Sequence, residues 1–210
     1  MQTDTYWAVV TDNADPEKLN RVRVSKVGEE PGLTEWLSVL TPYASNDAGL
    51  SFIPEIGDQV MVVNLDIEGI HKAVFGTMWF NKALPPETGE NTEADLNKNG
   101  KNALRFIKSR SGSQLIFDDT EGKEKIQLIS ADNKTRFELN VEESSTNLTT
   151  EHDIILGAKN KITIQGEKLE LISDNITNTC EDGEIQDDAK GKIEIKSNDI
   201  TADGQGISLN

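Results

Sequence analysis

Apolar residues recur at every second position in short bursts along this chain. Residues 1–80 contain no convincing helical spacing. Trp7–Val10 opens the series, Arg21-Val22-Arg23-Val24-Ser25 alternates strictly, and Trp36–Leu40 is a third run. Val60-Met61-Val62-Val63 is continuously apolar, suiting a strand buried on both sides, and Ala73–Trp79 is the fifth run. Five short strands in residues 1–80 predict a small closed barrel, of which the oligonucleotide/oligosaccharide-binding (OB) type is the commonest. Pro54 and Gly57 frame the entry to the fourth strand, proline fixing one backbone angle and glycine permitting a tight reversal.

Residues 81–103 are polar, contain Pro85-Pro86 and show no period, which predicts a linker. From Leu104 the alternation returns in another form. Arg110–Ser130 reads as two strands around an acidic turn: Leu115 and Phe117 alternate with polar neighbours, Asp118–Gly122 reverses the chain, and Ile126 and Leu128 resume. Apolar pairs then recur at Phe137/Leu139, Ile154/Leu156, Ile162/Ile164, Leu169/Leu171, Ile193/Ile195 and Ile207/Leu209, with single isoleucines at Ile176, Ile185 and Ile200, and the intervals start at eleven residues and shorten mostly to seven or eight. The interval lengthens between Val141 and His152, where the register is open. Such repetition marks a stacked β architecture.

Ten of the eleven aromatic residues lie at or before Phe117, and only Phe137 follows. Residues 104–210 therefore have little bulky material with which to fold. Each repeat offers one or two aliphatic side chains, worth about 1.5–3 kcal/mol apiece when fully buried. Ordering its seven or eight residues costs on the order of 1–2 kcal/mol each in backbone entropy. One-chain solenoids use roughly twenty or more residues per coil, so an eight-residue repeat encloses no interior alone. Three chains, each forming one face of a triangular prism, supply about twenty-four residues per layer and pair every strand edge. The expectation for residues 104–210 is an intertwined, triple-stranded β-helix in a homotrimer. Its predicted trimer core is Leu115, Phe117, Ile126, Leu128, Phe137, Leu139, Ile154, Leu156, Ile162, Ile164, Leu169, Leu171, Ile193 and Ile195.

Charge narrows the partners. The net charge is −16, with 37 acids against 21 bases spread over both halves, a field that repels nucleic acid and anionic membrane surfaces. The single cysteine, Cys180, excludes an internal disulfide. No run approaches the roughly eighteen apolar residues of a membrane helix. Met1–Tyr6 lacks the basic and apolar regions of a signal peptide, so synthesis in the cytoplasm is expected.

Catalytic and metal chemistry find little support. Asp118 and Asp119 are adjacent on a turn and point apart rather than flanking a substrate. Glu181–Asp188 is acidic but lacks the ligand spacing of a calcium loop. His71 and His152 are far apart, and the glycines at 166, 204 and 206 precede no helix, so no phosphate loop is indicated. No catalytic residue, metal or cofactor is predicted. Two other readings of a barrel joined to a β-helix are a saccharide-binding tail-spike module and a glycan-degrading enzyme. The first needs an aromatic-lined groove and the second clustered acids and arginines on one face, neither of which the spacing offers.

The motifs resemble a known family. Phe52–Val62, "FIPEIGDQVMV", follows Arg21–Val24, "RVRV", and Trp36–Pro42, and precedes Ala73–Trp79, "AVFGTMW". This set is similar to the barrel of contractile-tail central spikes, a family that includes phage baseplate assembly protein V and the valine–glycine-repeat (VgrG) spikes of type VI secretion. Ile107–Leu128 resembles the segment that opens the triple-stranded β-helix in the same family. The resemblance implies that Phe52, Pro54, Glu55, Gly57 and Asp58 are the barrel motif. It implies a structural, envelope-piercing spike of the short, free-standing form, assembled into a phage tail or related injection apparatus. Implied partners are a baseplate hub protein at the barrel end, the target membrane in transient contact, and a PAAR-like tip protein. Ile207, Ser208, Leu209 and Asn210 are the predicted seat for that tip, since no histidine pair of the iron-binding kind occurs there.

Overall fold

The computed structural model describes residues 5–28, 34–88, 100–180 and 185–186. The chain divides into two compact units, Met1–Ile155 and Leu156–Asn210. Every regular element among the described residues is a β-strand.

The strands β1 (Tyr6–Asp12), β2 (Arg21–Lys26), β3 (Leu37–Val39), β6 (Gln59–Asn64) and β7 (Lys72–Met78) form a closed barrel in the order β1-β2-β3-β7-β6. Two-residue strands β4 (Ala44–Ser45) and β5 (Ala48–Gly49) make a small hairpin between β3 and β6. Neighbouring strands run antiparallel except β3 and β7, which are parallel. The five strands expected from the alternation are thus present, and the short β4–β5 hairpin had no apolar period to announce it. Inside lie Ala8, Val10, Val22, Val24, Leu37, Val60, Val62 and Val74, each almost wholly buried. Small β-branched side chains suit this interior because a five-strand barrel leaves room for little else. Val60-Met61-Val62-Val63 departs from its expected burial on both sides. Val60 and Val62 are buried and Met61 and Val63 only half-buried, because a small barrel has one interior face. Register shifts at Val10/Asp12 and Met61/Val62 mark bulges, which give strands the bend that closure requires.

Beyond the barrel, Phe80 and Ala83 exchange two backbone hydrogen bonds, and Thr88 is buried. Residues 89–99 of the expected linker fall outside the described residues. A five-stranded antiparallel meander follows: β8 (Leu104–Lys108), β9 (Gln114–Asp118), β10 (Lys125–Ile129), β11 (Thr135–Asn140) and β12 (Ser145–Thr150), each beside its sequence neighbour. The acidic turn after Phe117 is as expected, with the Thr120 N–H donating to Asp118 Oδ1 at 3.0 Å. The register left open around Val141–His152 is unbroken: six consecutive pairs from Thr135↔Thr150 to Asn140↔Ser145 join β11 and β12. Gly112, at φ 105°, closes the β8–β9 turn against the Ala131 backbone, a conformation that favours glycine.

Residues 153–180 contain no strand, and the apolar pairs Ile154/Leu156, Ile162/Ile164 and Leu169/Leu171 are all exposed. A β-ladder needs a second backbone, and no described residue of the chain supplies one here. Ile193, Ile195 and the expected tip residues Ile207, Ser208, Leu209 and Asn210 lie outside the described residues.

Candidate interaction surfaces

The Pro54–Asp58 turn is riveted to β1. Gly57 N–H donates to Val10 O at 2.9 Å, Val10 N–H to Asp58 O at 3.0 Å, and Asn13 Nδ2 to Pro54 O at 3.2 Å. Asp58 also folds back on the turn, its Oδ2 accepting from the Glu55 N–H at 2.9 Å. Gly57 takes φ 98°, outside the range that side chains favour. Of the barrel motif, Pro54, Gly57 and Asp58 thus set the entry to β6. Phe52 is 63% exposed, and exposed Glu55 meets Arg110 of the β8–β9 turn at 3.2 Å.

Two loops at opposite ends of the barrel are held by single aspartates. Between β1 and β2, Asp15 accepts from Arg21 Nη2 at 2.8 Å and Nε at 3.0 Å, and from the Glu17 and Leu19 N–H groups. The Arg21 guanidinium, seconded by the backbone donors, holds the Asp15 carboxyl well below the usual carboxylate range. Between β6 and β7, Asp66 accepts from the Ile70 and His71 N–H groups, each at 2.8 Å. Burial works to raise the Asp66 carboxyl, but the His71 and Ile70 donors outweigh it and the net shift is downward.

The β8–β12 sheet has two unlike faces. Register places Ile107, Leu115, Leu128, Phe137 and Leu148 in one row across all five strands. A second row on the same face runs Arg105, Phe117, Ile126, Leu139, Thr146. The predicted core residues 115, 117, 126, 128, 137 and 139 are therefore brought together on one face. That face is open: Ile107, Phe117, Leu128, Phe137, Leu139 and Leu148 are 37–50% exposed. Its one charged member, Arg105, is paired with Asp119 at the end of its row. Asp118 and Asp119 thus serve separate partners, a turn amide and an arginine.

The opposite face is polar toward β11 and β12. Gln127, only 2% exposed, donates from Nε2 to Glu138 Oε2 at 2.6 Å, and Arg136 lies 4.0 Å from the same carboxylate. A shallow cavity of about 220 Å³ there is lined by Arg136, Glu138, Asn147 and Thr149. Under β8–β10 the same face buries Ile116 and Ile129.

The end of β12 is clasped to the β10–β11 turn. Thr135 and Thr150 hydroxyls meet at 2.8 Å, the Glu151 N–H donates to Lys134 O at 3.1 Å, and Lys134 Nζ reaches Glu151 at 2.8 Å. His152 Nε2 lies 3.2 Å from Asp132 Oδ2. The Ser130 hydroxyl, then the Lys134 N–H and His152, hold the Asp132 carboxyl far below its ordinary value.

Ile107, Leu148 and this clasp escape the sequence reading. Leu148 had a signal, since it continues the eleven-residue step through Leu115, Ile126 and Phe137. The clasp had none, because its residues are ordinary turn formers until β11 and β12 are paired.

Among the described residues no group of three or more His, Cys, Asp or Glu could hold a metal ion, and no helix is long and apolar enough to cross a membrane. Cys180 is exposed. The acidic stretch Glu181–Asp188 is described only at Ile185 and Gln186. No curated protein matches the chain. Residues 6–79, the whole barrel, match the family of type VI secretion system/phage-baseplate injector OB domains.

Proposed function

We propose that this chain, whose residues 6–79 are an injector OB domain of the type VI secretion/phage-baseplate family, is a non-catalytic central spike that works as a homotrimer. The match over residues 6–79 supports a role in a baseplate-type assembly of a virion tail or secretion apparatus. Within it the barrel seats the spike on a hub protein, and residues 104–210 form the needle. A PAAR-like protein caps the tip, and contact with the target membrane is transient. Sheath contraction supplies the work, and the needle transmits it through strand hydrogen bonds shared between chains.

The observation that carries this reading is the open face of the β8–β12 sheet, which follows directly on an injector barrel. Six large apolar side chains there stand 37–50% exposed. Covering the exposed part of all six is worth about 4–7 kcal/mol per chain at ordinary transfer values. That is comparable with the lower end of the stability of a typical domain, about 5–15 kcal/mol, so an association that covers the face would be strongly favoured. Exposed aliphatic pairs continue beyond it, from Ile154/Leu156 to Leu169/Leu171, and these too need neighbours. The acid excess keeps the outer surface of such an assembly soluble and turns nucleic acid away from the barrel.

Mass in solution tests the reading. Light scattering on the purified chain is expected to give three times the 23.1 kDa chain mass, independent of dilution across the micromolar range. A stable species of 23.1 kDa would remove the basis for the spike.

A further inference from the structure

The segment that joins the barrel to the β8–β12 sheet has no apolar period, yet its first part is held at both ends. Directly after β7 the Phe80 N–H donates to Ala83 O at 3.0 Å and the Ala83 N–H to Phe80 O at 2.8 Å, closing a tight reversal. Ala83 lines a recess of about 310 Å³ with Asp58, Thr77, Met78 and Trp79, which keeps the reversal against the end of the barrel. Further on, Thr88 is 1% exposed, and its hydroxyl donates to Pro86 O at 3.2 Å. Beside it, Glu87 O accepts from Lys108 Nζ at the end of β8.

Lys108 identifies the surface this segment reaches. It pairs with Gln114, and Gln114 with Ile129, in a row on the closed face of the sheet, next to the row of Ile116 and Gln127. Gln114, Ile116, Gln127 and Ile129 are 1–9% exposed. A sheet face loses water only where another segment lies on it, and among the described residues no strand of the barrel touches a strand of the sheet. Glu87 and Thr88 are what reach this face. A second contact stands apart from the first: Arg110, in the β8–β9 turn, meets Glu55 at 3.2 Å. Both turns are stiff, since Ser109 Oγ accepts from the Ser113 N–H at 3.0 Å in one and Asp58 Oδ2 from the Glu55 N–H at 2.9 Å in the other.

We infer that Phe80–Thr88 is a strap rather than a spacer: anchored at the barrel and laid on the closed face of the sheet, it acts with the Glu55–Arg110 pair to hold the two elements in one orientation.

A covalent connection alone is a pivot, and one further contact still leaves rotation about the line through both points. A strap and an ion pair in different places remove that freedom. The partners of the Glu55–Arg110 pair are 52% and 84% exposed, too wet to fix the elements unaided, so the strap carries most of the restraint and the pair sets the angle. Lys108 lies 21 residues beyond Glu87, and closing that loop costs chain entropy that the burial of Thr88 and of the closed face offsets. The inference concerns one chain and stands whether or not copies associate. In the spike proposed above, such a coupling passes thrust and torque from the barrel into residues 104–210 without buckling at the connection.

Distances between two spin labels in the full chain test the strap. The labels go on Ser38→Cys in β3 and Glu142→Cys between β11 and β12, both exposed, with Cys180→Ser to remove the native thiol. Labelled chains are diluted into excess unlabelled chain, so that double electron–electron resonance reads distances within one chain. The parent should give a single narrow distribution. Lys108→Met combined with Arg110→Ala removes both polar contacts and leaves Thr88 and the buried side chains of the sheet unchanged, and should broaden the distribution at least twofold. Thr88→Asp should broaden it as well, whereas Thr88→Ser, which keeps the hydroxyl, and Lys82→Met, on the exposed side of the strap, should match the parent. Amide exchange in β9 and β10 confirms that the sheet is folded in each variant. A broad distribution in the parent overturns the inference, as does one that stays narrow both in the Lys108/Arg110 double variant and in Thr88→Asp.

Discussion

Two glycines of the barrel should respond to the same substitution with opposite sign. An added Cβ at Gly57 or at Gly76 meets nothing within 4 Å, so neither alanine is penalised by contact. The backbone separates them. Gly57 sits at φ 98° in the turn that hydrogen-bonds to Val10, whereas Gly76 lies in β7 with no positive φ. An L-residue in the left-handed region costs about 1–2 kcal/mol. Against this, alanine reduces the freedom of the unfolded chain by about 0.4–1 kcal/mol at either site. Gly57→Ala should therefore lose up to about 1.6 kcal/mol net, and Gly76→Ala should gain about 0.4–1 kcal/mol. All three tryptophans, Trp7, Trp36 and Trp79, belong to the barrel or its immediate exit, so their emission follows this element without interference from residues 104–210. At about 2–4 °C per kcal/mol for a chain of this size, the two variants should melt about 2–8 °C apart, on either side of the parent. Shifts of the same sign in both would refute the assignment of Gly57 to a strained turn.

Other outcomes follow from the same geometry. Leu37→Ala empties the largest fully buried side chain of the barrel core and should cost about 2–5 kcal/mol, read as a lower urea midpoint in tryptophan emission. Asp15→Asn should flatten the acid limb of barrel stability. The folded state holds the Asp15 proton more weakly than the unfolded chain, so its contribution is complete above the usual carboxylate pKa of about 4 and declines as pH falls below it. Parent and variant stability curves are expected to converge in strong acid, and parallel curves from neutral to acid pH would count against the Arg21 pairing. Arg110→Ala removes an ion pair to Glu55 whose partners are 84% and 52% exposed, and should change stability by less than about 1 kcal/mol at any salt concentration.

How much of this was legible in the sequence depended on where each element finds its neighbours. Arg21–Ser25 alternates because β2 has one face inside the barrel, and the period of two survives in the sequence as Val22 and Val24. Pro54 and Gly57 were legible as turn formers because their constraint is local. The β4–β5 hairpin was not, since two-residue strands carry no period. Asp15, Asp66 and Asp132 were equally silent, because an aspartate in a turn looks the same whether it faces water or gathers several donors. On the β8–β12 sheet, the pairs at 115/117, 126/128 and 137/139 share one side, as their common spacing of two suggested. Ile107 was missed because its neighbour in the second row is Arg105 rather than an aliphatic residue.

The structure a single chain supports falls steadily along the sequence, and the decline follows composition. In the barrel each strand has a neighbour on both sides and the interior is sealed by aliphatic side chains at or near zero exposure. In the β8–β12 sheet the backbone is paired inside the meander, yet among the described residues β8 and β12 are the outer strands and one face stays open. Beyond β12, within the described residues, no strand forms at all. Aromatic residues thin out in the same order, from the barrel, to Phe106, Phe117 and Phe137 in the sheet, to none after. An aromatic side chain buries about 150–250 Å², enough for a short segment to hold itself, and an isolated aliphatic pair does not. In the homotrimer proposed above, such pairs would gain rigidity by sharing edges and apolar contacts between chains.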